Sequence, residues 1–445
     1  MNGYSLLKMK KIRYITIFIF AFILFQFYKF VKIRITNLDL PKGRIVFSSD
    51  IDGDNEIFTM NINGSGLRQL TKNSATKTST ATDDEASFSY DGKRIVFRSS
   101  RAEKQNYRII TDARGRPIGE EFSGGSTDIY IMDSDGKNQI PLTYNTLSSH
   151  PFFSPDGEKI IFDTLLKDNY NLVKMIDMGS RKERILNFGG GLVEFSYDGK
   201  KMFDNFQSDV SVVDIDGTNR KRITHFNDDR QSKLGINFVI SADSNKLAAI
   251  TIETKKPYGP DSVKNFYNIF EFYTMSIDGS NLEKIYRIDG SVLDRLYRAA
   301  DDRETSKGRP GHIWQFKFSL DGRYIIFHAD FIFKKGIYLL NLENKTVINL
   351  TAEKENWDKI LDFTFTPDSK KIVFIADIYP QNYYLHAVII RNIKAYINSL
   401  LFRRSTPYYD NKYLCIMDID GKNFRKIAKL PVGSEFGRDF IHWDN

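Results

Sequence analysis

Apolar and polar positions alternate in short bursts along most of the chain. Runs such as Ile45-Val46-Phe47, Ile57-Phe58 and Ile129-Tyr130-Ile131-Met132 are bounded within a few residues by Asp-Gly or Asn-Gly pairs. Bursts of this length, rich in β-branched and aromatic residues, predict strands. The Asp-Gly pairs supply the left-handed backbone positions that tight hairpin turns need. Two signatures take turns. One reads Phe-Ser-x-Asp-Gly before an apolar run, at Phe88 to Gly92, Phe153 to Gly157, Phe195 to Gly199 and Phe318 to Gly322, with weaker copies from Ile240 and Phe365. The other is a β-rich run, then Asp-Gly-x-Asn, then a strand often ending in Leu-Thr or Ile-Thr. Its turns fall at Asp135-Gly136, Asp216-Gly217, Asp278-Gly279 and Asp420-Gly421.

Each pair of signatures marks four short antiparallel strands, and many such units in series predict a β-propeller. Six complete units begin near Glu85, His150, Leu192, Asn237, Gln315 and Asp362. The unit at 44–71 lacks its opening strand, and the C-terminal Asp439-Phe440-Ile441-His442-Trp443 has the look of that strand. Pairing the two closes a ring of seven blades and removes the open edges. The expected fold is therefore an all-β, seven-bladed propeller over 44–445.

The N-terminus follows another rule. Tyr14 to Tyr28 is uncharged, with Thr16 and Gln26 its only polar members among apolar and aromatic residues. As a helix it spans about 22 Å, short of a hydrocarbon core of roughly 30 Å. Ile12 to Val31 spans the core if Arg13 and Lys29 reach the two interfaces. Small residues suited to signal cleavage are scarce, so residues 1–35 are expected to form an uncleaved signal anchor with one transmembrane helix. Residues 36–43 form a linker of at most about 30 Å. Four basic residues precede the span and three follow it, which favours a cytoplasmic N-terminus. The propeller is thus expected on the periplasmic or extracellular side of a cell inner membrane.

The segment from Ile45 to Thr71, with Ser48-Ser49-Asp50-Ile51-Asp52-Gly53 and the closing Gln69-Leu70-Thr71, resembles the WD40-like repeat of the TolB family. The resemblance covers roughly residues 44–445 and implies a propeller. TolB carries an N-terminal α/β domain that this sequence lacks, so the resemblance does not extend to TolB's role with Pal.

Strands alternate in direction, so the Ser-x-Asp-Gly and Asp-Gly turns share one face. The long insertions, 72–84, 99–127, 253–268, 288–311 and 377–412, all fall on the other. Long loops on a rigid scaffold commonly carry binding. Tyr384 to Arg404 is expected to be a helix with Leu385, Ile389, Ile393, Tyr396 and Leu400 on one face, which caps the propeller or docks a partner. The anchor's point of entry places the tight-turn face towards the membrane.

Four residues before the Ser or Thr of each turn stand Glu85, His150, Leu192, Asn237, Gln315 and Asp362. Five of the six are polar, and topology puts them at the channel mouth on the elaborated face. Glu85, His150, Asn237, Gln315 and Asp362 are therefore the candidate ligand-binding residues. His150, His312 and Gln315 resemble the metal-binding set of oligogalacturonate lyase, which implies a divalent metal as the cofactor of an alternative reading, a polysaccharide lyase. No cofactor is otherwise expected. The acidic turn Asp50 to Glu56 has the composition of a calcium loop without the spacing of an EF-hand. No Gly-x-Ser-x-Gly elbow is present.

Composition refines this picture in three ways. Aromatics make up 14%, with 35 Phe and 23 Tyr, which favours β-structure. Cys415 is the sole cysteine, which excludes an intrachain disulfide framework. The net charge of +8 sits at one end: residues 1–38 hold seven basic residues and no acidic one, leaving 57 basic against 56 acidic. Nucleic-acid binding gains no support from such a balance. The reading is of a monomeric, membrane-anchored scaffold, non-enzymatic, that holds a protein or glycan of the cell envelope.

Overall fold

The computed structural model describes residues 42–444, apart from 74–80, 102–106, 112–116, 123–125, 166–170, 187–192, 207–208, 227–232, 256–266, 290–311, 332–333, 352–356, 379–410 and a few single positions. The expected anchor at 1–35, most of the linker and the helix at 384–404 lie outside the described residues. Two units are separated at Pro41/Lys42, and the second holds everything described below. Among the described residues no helix is long and apolar enough to cross a membrane.

The described residues form seven four-stranded antiparallel sheets, together a seven-bladed β-propeller. Blade I joins Ile441–Trp443 to Gly43–Ser49, Glu56–Asn61 and Arg68–Gln69. Blades II to VII open with the inner strands Asp83–Phe88, Ser148–Phe153, Val193–Phe195, Lys233–Ile240, His312–Phe318 and Trp357–Phe365. The expected C-terminal closure is therefore present. Ile441 partners Ile45, His442 partners Arg44, and Trp443 partners Gly43. The first strand begins at Gly43, one residue before the expected boundary. The insertion at 99–127 carries an unanticipated hairpin, Tyr107–Thr111 with Pro117–Phe122.

The turns explain the signatures. In Ser-x-Asp-Gly the Ser89 hydroxyl donates to Asp91 Oδ1 at 2.6 Å and accepts the Arg94 amide at 3.0 Å, while Gly92 takes a φ of 64°. The same arrangement recurs at Ser154, Ser196, Ser241 and Thr366. In Asp-Gly-x-Asn the Gly and the Asn are both left-handed, as at Gly279 (88°) and Asn281 (54°). A Cβ on Gly279 would also lie 2.5 Å from the Ile223 carbonyl of the preceding blade. This position needs glycine for its backbone and for the close approach alike.

The Leu-Thr ending is a clamp. Thr143 accepts the Ile129 amide at 2.9 Å and donates to Asp128 Oδ1 at 3.0 Å, both buried. Thr224 does the same with Val210 and Asp209, and Thr71 with Ile57 and Glu56. It ties the outermost strand to the start of its neighbour. Between blades the core is aromatic. Phe270, Phe272, Phe316, Phe318 and Phe327 form one cluster across blades V and VI, with Phe272 and Phe327 centroids 5.0 Å apart. Such packing accounts for the phenylalanine surplus.

Candidate functional site

The inner strands surround a cavity of about 1140 Å³. Glu85, His150, Asn237, Gln315 and Asp362 all line it. Leu192 lies outside the described residues. The strands begin earlier than the sequence implied, so these residues sit within them, several at a bulge. Pairing shifts between Asp84 and Ser87, Ser149 and Phe152, Ile313 and Gln315, and Ile360 and Asp362. At two bulges the ring residue itself is left-handed: Glu85 and His150 both have a φ of 52°. Bulges re-aim side chains, and non-glycine residues in this conformation collect at functional sites.

Glu85 and His150 interlock. The His150 amide donates to Glu85 Oε2 at 2.6 Å. The imidazole lies between two carboxylates, Nδ1 at 3.4 Å from Asp163 Oδ2 and Nε2 at 3.7 Å from Glu85 Oε1. The hydrogen bond to Asp163 raises its pKa above the ordinary histidine value, against burial, with Glu85 adding to the rise. Arg98 supports Glu85 at 3.3 Å and grips Asp84 with both prongs, at 2.6 and 2.7 Å. Asp362 is buried, accepts the Phe363 amide at 2.7 Å, and has Lys317 Nζ at 3.5 Å. Gln315 is exposed and Asn237 half-buried.

A seventh ring member was missed. Ile441 pairs with Ile45 as Phe88 pairs with Ile95, so His442 occupies the place of Ser89. Counting back four gives Arg438. The closing strand has no Ser-x-Asp-Gly turn to mark its register, which hid this residue. Its guanidinium pairs with Glu194 Oε2 of blade IV at 2.5 Å and lies 4.1 Å over the Phe152 ring of blade III. Arg438 thus reaches from the closing strand to side chains on two other blades. On the tight-turn side the exposed Tyr90 and Tyr197 meet edge to face at 6.5 Å.

Of the expected metal set, His150 and Gln315 are described and both line the cavity. His150 directs its two nitrogens at two different carboxylates. His312 opens the inner strand of blade VI, but its side chain is outside the described ones. Among the described residues no three His, Cys, Asp or Glu side chains form a group able to hold a metal ion. In the acidic turn at 50–56, Asp52 lies outside the described residues. There Glu56 is wholly buried, bonded to Thr71 and the Asn73 amide, and burial pushes its pKa up to about 7.

No protein-family model matches the chain. Solved structures similar to it include TolB from Acinetobacter baumannii (14% identity, 82% of this chain and 82% of that one, TM-score 0.41). Another is oligogalacturonate lyase from Vibrio parahaemolyticus (12% identity, 88% and 85%, TM-score 0.44). A third is puromycin hydrolase (12% identity, 74% and 48%, TM-score 0.45). Likeness at this level concerns fold, and the fold stands on the sheets themselves. Seven four-stranded sheets, with Ser-x-Asp-Gly and Asp-Gly-x-Asn turns at fixed places, make the described residues a seven-bladed β-propeller.

Proposed function

We propose that the chain is a binding scaffold of the cell envelope that takes its ligand, a glycan or a protein, at the channel mouth on the elaborated face. The observation that carries this reading is the ring of polar side chains, Arg438 included, converging on one cavity of about 1140 Å³. A cavity of that size with a few convergent polar groups suits recognition. Anchoring by residues 1–35 in an inner membrane, with the propeller outside the cytoplasm, belongs to the same proposal and rests on the apolar run from Tyr14 to Tyr28.

The test compares the full chain with an Asn237→Leu/Gln315→Leu variant on a saccharide array and against envelope extract. Material retained by the native chain and lost by the variant supports the reading. Identical retention by both sinks it. Carbonate-resistant membrane association, lost on removal of residues 1–35, tests the anchor.

A further inference from the structure

We propose that the channel is selective for a cationic, hydroxyl-rich ligand, an oligosaccharide of amino sugars. This rests on the reading of the cavity as a ligand site. Among the described residues the wall carries six carboxylates, from Glu85, Asp163, Glu194, Asp362, Asp377 and Glu435. Against them stand, among the described residues, three lasting cations, Lys317, Lys412 and Arg438, and His150, which adds a charge between Glu85 and Asp163 when protonated. Residues 39–445 as a whole are almost balanced, 57 basic to 56 acidic. The described channel wall therefore departs from that balance towards negative charge. Counting Arg98 with the Asp84 it grips leaves that excess unchanged.

The cations are also engaged by the protein itself. Lys317 faces Asp362 at 3.5 Å, Arg438 faces Glu194 at 2.5 Å, and Lys412 Nζ donates to the Ser434 carbonyl at 2.7 Å. An anionic sugar would have to compete with these partners and enter against the surplus. A protonated amine gains from it, because apolar walls such as Phe152, Phe238 and Phe316 focus the field of the carboxylates. Charge alone would suit any amine. The amides of Asn237 and Gln315 add paired donors and acceptors, which match hydroxyl groups. Tyr90, Tyr197 and Trp443 at the far end of the same cavity offer ring faces for stacking and for cations. The volume exceeds that of a single small-molecule pocket and leaves room for several sugar units.

The test is titration calorimetry on the full chain with four probes: a β-1,4-glucosamine tetramer, its N-acetylated counterpart, a galacturonate tetramer and spermine. The glucosamine tetramer should bind, and bind less well as salt rises. The N-acetylated tetramer and spermine should each bind about tenfold more weakly or worse, and galacturonate should give no heat. Asp163→Asn should weaken the glucosamine tetramer by about tenfold while leaving the circular dichroism unchanged. Asp362→Asn is a second variant of the same kind, and Asp163→Asn decides if the buried position fails to fold. Equal binding of the N-acetylated tetramer overturns the charge selectivity and leaves the scaffold reading intact. Spermine binding as tightly as the sugar overturns the glycan part. Silence from all four probes overturns the proposal, while the array comparison judges the scaffold reading separately.

Discussion

The threonine that ends so many repeats closes two hydrogen bonds at once inside the blade. Thr224 accepts the Val210 amide at 2.8 Å and donates to Asp209 Oδ1 at 2.9 Å. Thr224→Val keeps the shape and leaves a buried amide and a carboxylate short of a partner. Urea unfolding should show a loss of about 1–3 kcal/mol. Glu56 is the variant of this clamp with a pH signature. Its folded-state pKa of about 7 lies above its ordinary 4.5. Between those values the folded protein keeps a proton that the unfolded chain has released. This group's contribution therefore falls as pH rises from 4.5 to 7, by on the order of 3 kcal/mol. Glu56→Gln should remove that slope and be the more stable protein at pH 7.5, as read by denaturant midpoints across this range. A midpoint difference from wild type that stays constant with pH would refute the assignment.

At the scale of elements, the departures from the motif are informative. Ser244 and Ser369 stand where other turns have glycine, and both are left-handed, at 57° and 56°. Their hydroxyls accept amides of the preceding blade, Asp198 at 3.1 Å and Asp321 at 3.2 Å. Replacing Ser244 by Gly relieves about 1 kcal/mol of backbone cost and forfeits a bond of similar worth, so it should be nearly neutral. Ser244→Ala keeps the strain and loses the bond, and should melt measurably lower than Ser244→Gly. The same contrast separates what the sequence revealed from what it hid. Strands bounded by Ser-x-Asp-Gly or Asp-Gly-x-Asn were legible because the turn chemistry is local. The ring position was legible for the blades whose turn fixes the count. Arg438 was not, because its strand ends without a turn and Phe436-Gly437 enlarge its bulge. Its partner Glu194 lies in blade IV, and no local pattern reports such a contact. The bulges at Glu85 and His150 were hidden for a related reason: they arise from pairing between strands, which spacing alone does not encode.

For the molecule as a whole, one short contact completes the ring. Three residues of the closing strand pair with Gly43–Ser49, assisted by the Val46 amide donating to the Phe440 carbonyl and by a bridge between Ser48 and Glu435. Phe440 is 1% exposed and its ring packs on Phe436, which also contacts Phe47. Phe440→Ala should cost about 3–5 kcal/mol in chemical unfolding. It should also open 433–445 to protease sooner than the turns of blades II to VII. Little change in either would mean that the ring is held chiefly by packing between neighbouring blades.

The outer edges are treated differently. Strands such as Lys221–Arg222 and Arg425–Lys429 are short or basic, which discourages pairing with other chains. Gly43–Ser49 has no such protection and is almost wholly buried once paired. Its partner, Ile441–Trp443, leaves the ribosome only after the six intervening blades. While the intervening blades are being made, Ile45, Val46 and Phe47 present an unshielded apolar edge. The nascent propeller therefore depends on whatever shelters that edge until residues 441–443 emerge, and a chain stalled or cut before them would be left with this apolar strand uncovered.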